Sequence, residues 1–177
     1  MRLRAISENP AYRFVGLFAL YLALIAIGYP WVTKRWMFVV QGLAHGTAVI
    51  DYQILSLFSS ETSLTGNMVH LGQFSVDIIE ECTGIFEALI FLAAVLAYPT
   101  RWRDKLIGIG LGVPILYAFN LARILVLLWV GRFHYALFDF MHIYFWQATL
   151  ILMITSVWLL WIFKVVQHGE PSAPSGS

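Results

Sequence analysis

Three stretches of about twenty largely apolar residues, 14–32, 106–130 and 143–163, constrain this chain more than anything else in it. Roughly 20 such residues in a helix cross the hydrocarbon core of a bilayer. A fourth stretch, 78–98, is apolar after Gly84 except for Glu87 and reads as a further crossing. The 177 residues are 60% hydrophobic and 12% charged, more apolar surface than a soluble domain of this length buries. The expected fold class is therefore an all-α integral membrane protein. It is a four-span helical bundle with an outer interfacial helix and a small outer β-hairpin. A net charge of +1 offers no electrostatic reason to expect nucleic acid as a partner.

The basic residues orient the spans, because Lys and Arg concentrate in cytoplasmic loops. Arg2, Arg4 and Arg13 precede the first span, Arg101, Arg103 and Lys105 fill the loop after Tyr98-Pro99, and Lys164 follows the last. One topology puts them all inside, with both termini cytoplasmic and Cys82 at the outer face. The first stretch has too long an apolar run, and no small-residue cleavage site, for a signal peptide; it reads as an uncleaved anchor. Residues 36–58 are also apolar but carry Gln41, His45, Asp51, Tyr52 and Gln53. An amphipathic helix in the outer interface fits them. A fifth span is the alternative, and it would turn Arg101, Arg103 and Lys105 outward. Met68–Leu71 and the alternating Phe74–Ile78 flank Gly72-Gln73, a two-residue hairpin signal. Residues 1–168 read as one membrane-embedded domain and 169–177, GEPSAPSGS, as a disordered cytoplasmic tail. Gly108 and Gly112 lie within a span, at a spacing that suits close helix packing.

Polar groups inside a bilayer are expensive, so each needs a reason. Arg123 lies roughly 10 Å below the outer end of its span, and Asn120, three residues earlier, shares its face. Glu87 sits roughly 7 Å into its own helix, which makes a Glu87–Arg123 contact feasible. His142 opens the last span, three residues after Asp139, and His134 is a rival to it by position. Asp51, Asp77, Glu80 and Glu81 read as solvated outer-face acids. The single cysteine, in Glu80-Glu81-Cys82-Thr83-Gly84-Ile85-Phe86, rules out an intrachain disulfide and a cysteine-rich metal cluster. The five histidines show no close metal-ligand spacing.

Cys82, Arg123 and His142 come from three helices, and the topology puts all three near the outer surface. A thiolate nucleophile, a guanidinium for its charge or for an oxyanion, and an imidazole for the proton are parts for acyl transfer through a thioester. Each has a plainer alternative: a small buried hydrophobe, a snorkelling or structurally paired arginine, and an ordinary interfacial histidine.

The motifs Glu81-Cys82-Thr83-Gly84-Ile85 and Asn120-Leu121-Ala122-Arg123-Ile124, followed by His142 after the outer loop, resemble those of the exosortase/archaeosortase family of membrane-embedded cysteine transpeptidases. The resemblance covers roughly residues 66–163. It implies that Cys82, Arg123 and His142 are catalytic, with Asn120, Glu87 and Asp139 in support. It implies membrane-anchored protein substrates that end in a short motif, an apolar helix and a basic cluster. It also implies a place in the bacterial cytoplasmic membrane with the site at the outer face. Many family members have serine where this chain has Thr83, and the chain is shorter than the larger members. No cofactor is needed for this chemistry. Two other readings use the same residues. One is a non-enzymatic membrane or transport subunit in which Arg123 and Glu87 form an intramembrane polar pair. The other is a redox sensor that pairs Cys82 with another chain.

Overall fold

The computed structural model describes residues 9–167. Arg2, Arg4 and the expected tail at 169–177 lie outside the described residues. Helix α1, Pro10–Arg35, opens on Asn9, whose side chain accepts the Ala11 N–H at 3.0 Å, with proline in its first turn. The chain breaks direction at Trp36 and continues as α2, Met37–Ser56. Three strands follow: β1 Thr62–Thr65, β2 Met68–Leu71 and β3 Phe74–Asp77. A single 3-10 turn at Glu80–Cys82 leads into α3, Ile85–Ala97. Helix α4 is Trp102–Phe133. Helix α5, Tyr135–Val166, contains wider π-turns at Met141–Phe145 and Ile162–Val166.

Among the described residues, α1, α4 and α5 have the length and apolarity of membrane crossings, and the expected stretches 14–32, 106–130 and 143–163 lie inside them. The stretch 78–98 forms no continuous helix. The Ile78 N–H bonds to the Asn67 carbonyl at the edge of the sheet, and Gly84 adopts a left-handed φ of 73°. Helix α3 therefore starts only at Ile85 and has 13 residues. That is about 20 Å of helix against a hydrocarbon core of about 30 Å. Residues 36–58 are helical as expected, and α2 falls outside the span-like set.

The expected hairpin is present, with Leu71 opposite Phe74 across Gly72-Gln73 and Gly72 at φ 64°. It is part of a three-stranded antiparallel sheet in the order β1-β2-β3. The added strand β1 reaches β2 through Gly66-Asn67, with Gly66 at φ 63°. Only glycine adopts that conformation without strain. Val69 and Leu71 point from one face of β2 into a core shared with Leu55 of α2 and Ile124 and Leu128 of α4. Arg132 at the end of α4 pairs with Glu61 at 2.6 Å, and the Phe74 ring packs on Gly131. The sheet thus caps one end of the helices.

Below this sheet end, α3 is wedged among α1, α4 and α5. Tyr29 stacks edge-on with Phe86, and Phe14 with Tyr98, so α1 and α3 run antiparallel. Gly112 faces the Phe91 ring and Gly108 faces Trp161, which fixes α4 against α3 and α5. The close-packing role expected of Gly108 and Gly112 is what the structure shows. Gly110, two residues away, faces open space.

That contrast gives a paired test. Gly112→Leu drives a side chain into Phe91 and is expected to destabilise by about 1–3 kcal/mol. Gly110→Leu projects away from the bundle and is expected to leave stability nearly unchanged. Thermal unfolding of the two purified variants in the same detergent measures the difference.

Candidate active site

The turn Glu80–Cys82 is short, buries Cys82 and is held from several sides. The Thr83 hydroxyl donates to the Glu80 carbonyl at 2.7 Å and closes the turn on itself. Gly84 needs its positive φ to launch α3, and a Cβ there would also meet Asn120 at 3.3 Å. Asn120, 1% exposed on α4, donates from Nδ2 to the Cys82 carbonyl at 2.6 Å. From α1, the Tyr29 hydroxyl lies beside the Glu80 carboxylate. Two sequence motifs 38 residues apart therefore interlock through one side-chain bond.

Arg123 lies on the same face of α4, one turn beyond Asn120, and is buried. Its guanidinium lies near enough to the Cys82 sulfur to act on it as a charge. The Glu87 carboxylate lies 4.0 Å from Arg123 Nη1, at the outer limit of an ion pair. Cys82 sits in the turn ahead of α3, outside the membrane-crossing helices. Burial pushes its thiol above the ordinary range, and Arg123 pulls it back down. Three buried polar atoms around this group make no hydrogen bond: Arg123 Nε, Asn120 Oδ1 and Glu87 Oε2. Orphaned groups of this kind mark places where a polar ligand is favoured.

The structure brings together Cys82, Arg123, Asn120 and Glu87. His142 stands apart from them on α5, exposed, its ring stacked on Phe138 at 5.5 Å and nearly parallel. Phe138 in turn packs edge-on against Phe74 of the sheet at 5.1 Å. Trp146, four residues after His142, packs against Phe119, four residues before Arg123. The two helices run antiparallel, since Gly108 also meets Trp161. Counted from the Phe119–Trp146 contact, His142 and Arg123 are therefore each one turn toward the sheet end. His142 lies within the π-turn Met141–Phe145, a widened turn of a kind found often at functional sites. Asp139 is exposed, and no ion pair or hydrogen bond joins it to His142 among the described residues. His134, at the joint between α4 and α5, is also exposed.

Sequence reasoning missed three features here. Tyr29 reaches the Cys82 turn, and no spacing rule connects α1 to it. Thr47 of α2 and Tyr117 of α4 share a hydroxyl–hydroxyl hydrogen bond of 3.0 Å. Asp51, expected to be a solvated acid, is 0% exposed, which corrects that reading. Its spacing from Ala44, Ala48 and Leu55, all buried on one helix face, is the signal that would have found it. Asp77 and Glu81 are exposed as expected, and Glu80 is half-buried against Tyr29.

Two substitutions test this geometry. Asn120→Ala leaves the buried Cys82 carbonyl unpaired, at an expected cost of about 1–3 kcal/mol in thermal unfolding. Because the thiol lies high, its alkylation by a small neutral reagent is expected to keep rising with pH beyond the usual thiol range. Removal of the cation in Arg123→Leu is expected to move that profile to still higher pH. An unmoved profile would show that Arg123 does not act on the sulfur.

Comparison with known proteins bears on the same residues. Residues 9–162 match the family described as transmembrane exosortase. A relative described as a probable archaeosortase E, from Methanocaldococcus jannaschii, is 27% identical over 85 residues, or 48% of this chain and 46% of that protein. The match therefore spans about half the length of that curated relative. No solved structure matches the chain. The family match runs from the start of α1 nearly to the end of α5 and takes in both interlocked motifs: this membrane protein belongs to the transmembrane exosortase family.

Proposed function

We propose that this protein is a membrane-embedded cysteine transpeptidase or protease in which Cys82 is the nucleophile, Arg123 the charge-stabilising group and His142 the proton carrier. The observation that carries the reading is the buried Arg123 guanidinium set against the Cys82 sulfur, in a turn that Asn120 fixes. A buried arginine this deep in an apolar bundle needs a reason. Glu87, at 4.0 Å, balances its charge only loosely, which leaves its Nε free.

In the proposed reaction the Cys82 thiolate attacks the scissile peptide carbonyl carbon and forms a C–S bond. The carbonyl electrons move onto oxygen, and Arg123 stabilises the oxyanion where the low dielectric strengthens it. The intermediate collapses, the C–N bond breaks, and the leaving amine takes the proton that the thiol gave up, carried by His142. An acceptor amine or water then attacks the thioester, and the sulfur leaves as the thiol. For this role the His142 ring must turn off Phe138 toward the gap between α5 and α4. Its level, one turn above the Trp146–Phe119 contact, supports that movement.

The substrates proposed are membrane-anchored proteins whose C-terminus carries a short motif, an apolar helix and a basic cluster. The short α3 serves as the fourth crossing in this reading, with the Cys82 turn outside its outer end. The termini lie in the cytoplasm and the site at the outer face of the inner membrane. Residues 1–168 act as one membrane-embedded unit, and the chemistry proposed needs no cofactor.

Processing of a co-expressed protein with such a C-terminus tests the proposal. Cys82→Ala and Cys82→Ser are expected to abolish cleavage while the protein still inserts. Arg123→Ala is expected to reduce it by roughly 10²–10³-fold, the usual loss for an oxyanion donor. His142→Ala is expected to reduce it by about 10²–10⁴-fold, the usual share of a general acid–base. Full processing by the Cys82 variants would overturn the reading. If Arg123 and Glu87 then still mattered, the non-enzymatic polar-pair reading would replace it.

A further inference from the structure

Cys82 is 6% exposed, so a substrate reaching its sulfur needs part of the fold to move. The element over it is α2, which packs on the Glu80–Cys82 turn, on β1 and β2, and on α4. Ala44, Ala48 and Leu55 of α2 share one apolar cluster with Cys82, Ile78 and Ile124. In the middle of that stripe, three residues after Ala48 and four before Leu55, stands Asp51. It is 0% exposed, and neither carboxylate oxygen has a hydrogen-bond partner. The nearest polar help on the same face, the Thr47 hydroxyl one turn earlier, is engaged with Tyr117. An isolated buried carboxylate is costly, and the usual escape is to keep a proton.

We infer that α2 is a proton-latched cover over the Cys82 thiol: it stays seated while Asp51 is protonated, and loss of that proton releases it. The inference rests on the reading of Cys82 as the nucleophile, since only then does access to the sulfur matter.

Burial alone pushes Asp51 up, to about 8, and no charged neighbour contributes. The charged and titratable groups on the elements around it are otherwise placed. Arg123 of α4 faces Cys82 and Glu87, and Tyr117 bonds Thr47. Glu80 faces Tyr29, while Glu81 is exposed. His70 of β2 is half-buried, and Lys34 and Arg35 at the end of α1 are exposed. On α2 itself, His45 bonds the Gly66 carbonyl, and Tyr52 is half-buried.

The sign follows from linkage. A carboxyl whose buried value exceeds its solvated one binds more protons when α2 is seated. The seated state is therefore fully favoured at low pH and loses ground as pH rises. Between 3.8 and about 8 the opening equilibrium grows by up to about tenfold per pH unit, then levels off.

The test measures alkylation of Cys82 by a small neutral reagent in the full-length protein, in parallel with Asp51→Asn and Asp51→Leu. At each pH the ratio of the wild-type rate to the variant rate cancels the ionisation of the thiol. The ratio is expected to climb by up to about tenfold per pH unit toward pH 8 and then flatten. A ratio that stays constant with pH overturns the inference. A second measurement needs no variant: hydrogen-exchange protection of α2, corrected for intrinsic rates, is expected to fall with pH while that of α3 holds. Equal behaviour of the two helices also overturns the inference. Neither readout requires catalysis, so failure here is distinguishable from failure of the nucleophile assignment, which the processing assay decides.

Discussion

The hydrogen bond from Asn120 to the Cys82 carbonyl is the constraint on which the rest of the site depends. It is a short contact between groups that are both buried, so losing it leaves a carbonyl with no partner in apolar surroundings. It fixes the height of the turn on α4, and that height decides which α4 side chain meets the sulfur. One turn further along the same face is Arg123. Gly84 makes the approach possible, because its left-handed backbone and missing side chain let Asn120 come in over the start of α3. The Thr83 hydroxyl has a comparable structural job: its bond to the Glu80 carbonyl holds the turn whether or not it ever touches a substrate.

Burial sets the electrostatics of the region in two opposite directions. Around Cys82, desolvation disfavours the thiolate, and Arg123 works against that penalty from within the same low-dielectric space. Asp51, on the neighbouring α2, faces the same penalty with no counter-charge. A chain that places one cation beside its thiol and no cation beside its buried acid treats the two groups differently. In the proposed function, that asymmetry separates chemistry at the sulfur from control of access to it.

The long helices were legible because length and apolarity speak directly to membrane crossing, and α1, α4 and α5 contain the three expected stretches. The hairpin was legible because Gly72-Gln73 interrupts an alternating pattern. Strand β1 was not, since Thr62–Thr65 shows only a weak alternation, although Gly66-Asn67 carried the turn signal. The run 78–98 was legible only in part, because hydropathy does not register a backbone break: Gly84 and the sheet-bound Ile78 divide it, and only Ile85–Ala97 is helix. Asp51 misled because a charged residue type was read as solvated, while its spacing along α2 put it on the buried face. Depth estimates were enough to expect Glu87 near Arg123. The stacking of His142 on Phe138 depends on tertiary packing that no spacing rule encodes.

The central claim is that the Cys82 sulfur becomes covalently bound to the cleaved carbonyl. Hydroxylamine added during processing of a membrane-anchored substrate reads this most directly, because it intercepts a thioester and leaves a hydroxamate at the new C-terminus. The account predicts hydroxamate with the wild-type chain and none with Cys82→Ala. Cleavage that proceeds fully to the free acid with no hydroxamate, or hydroxamate formed without Cys82, would contradict it.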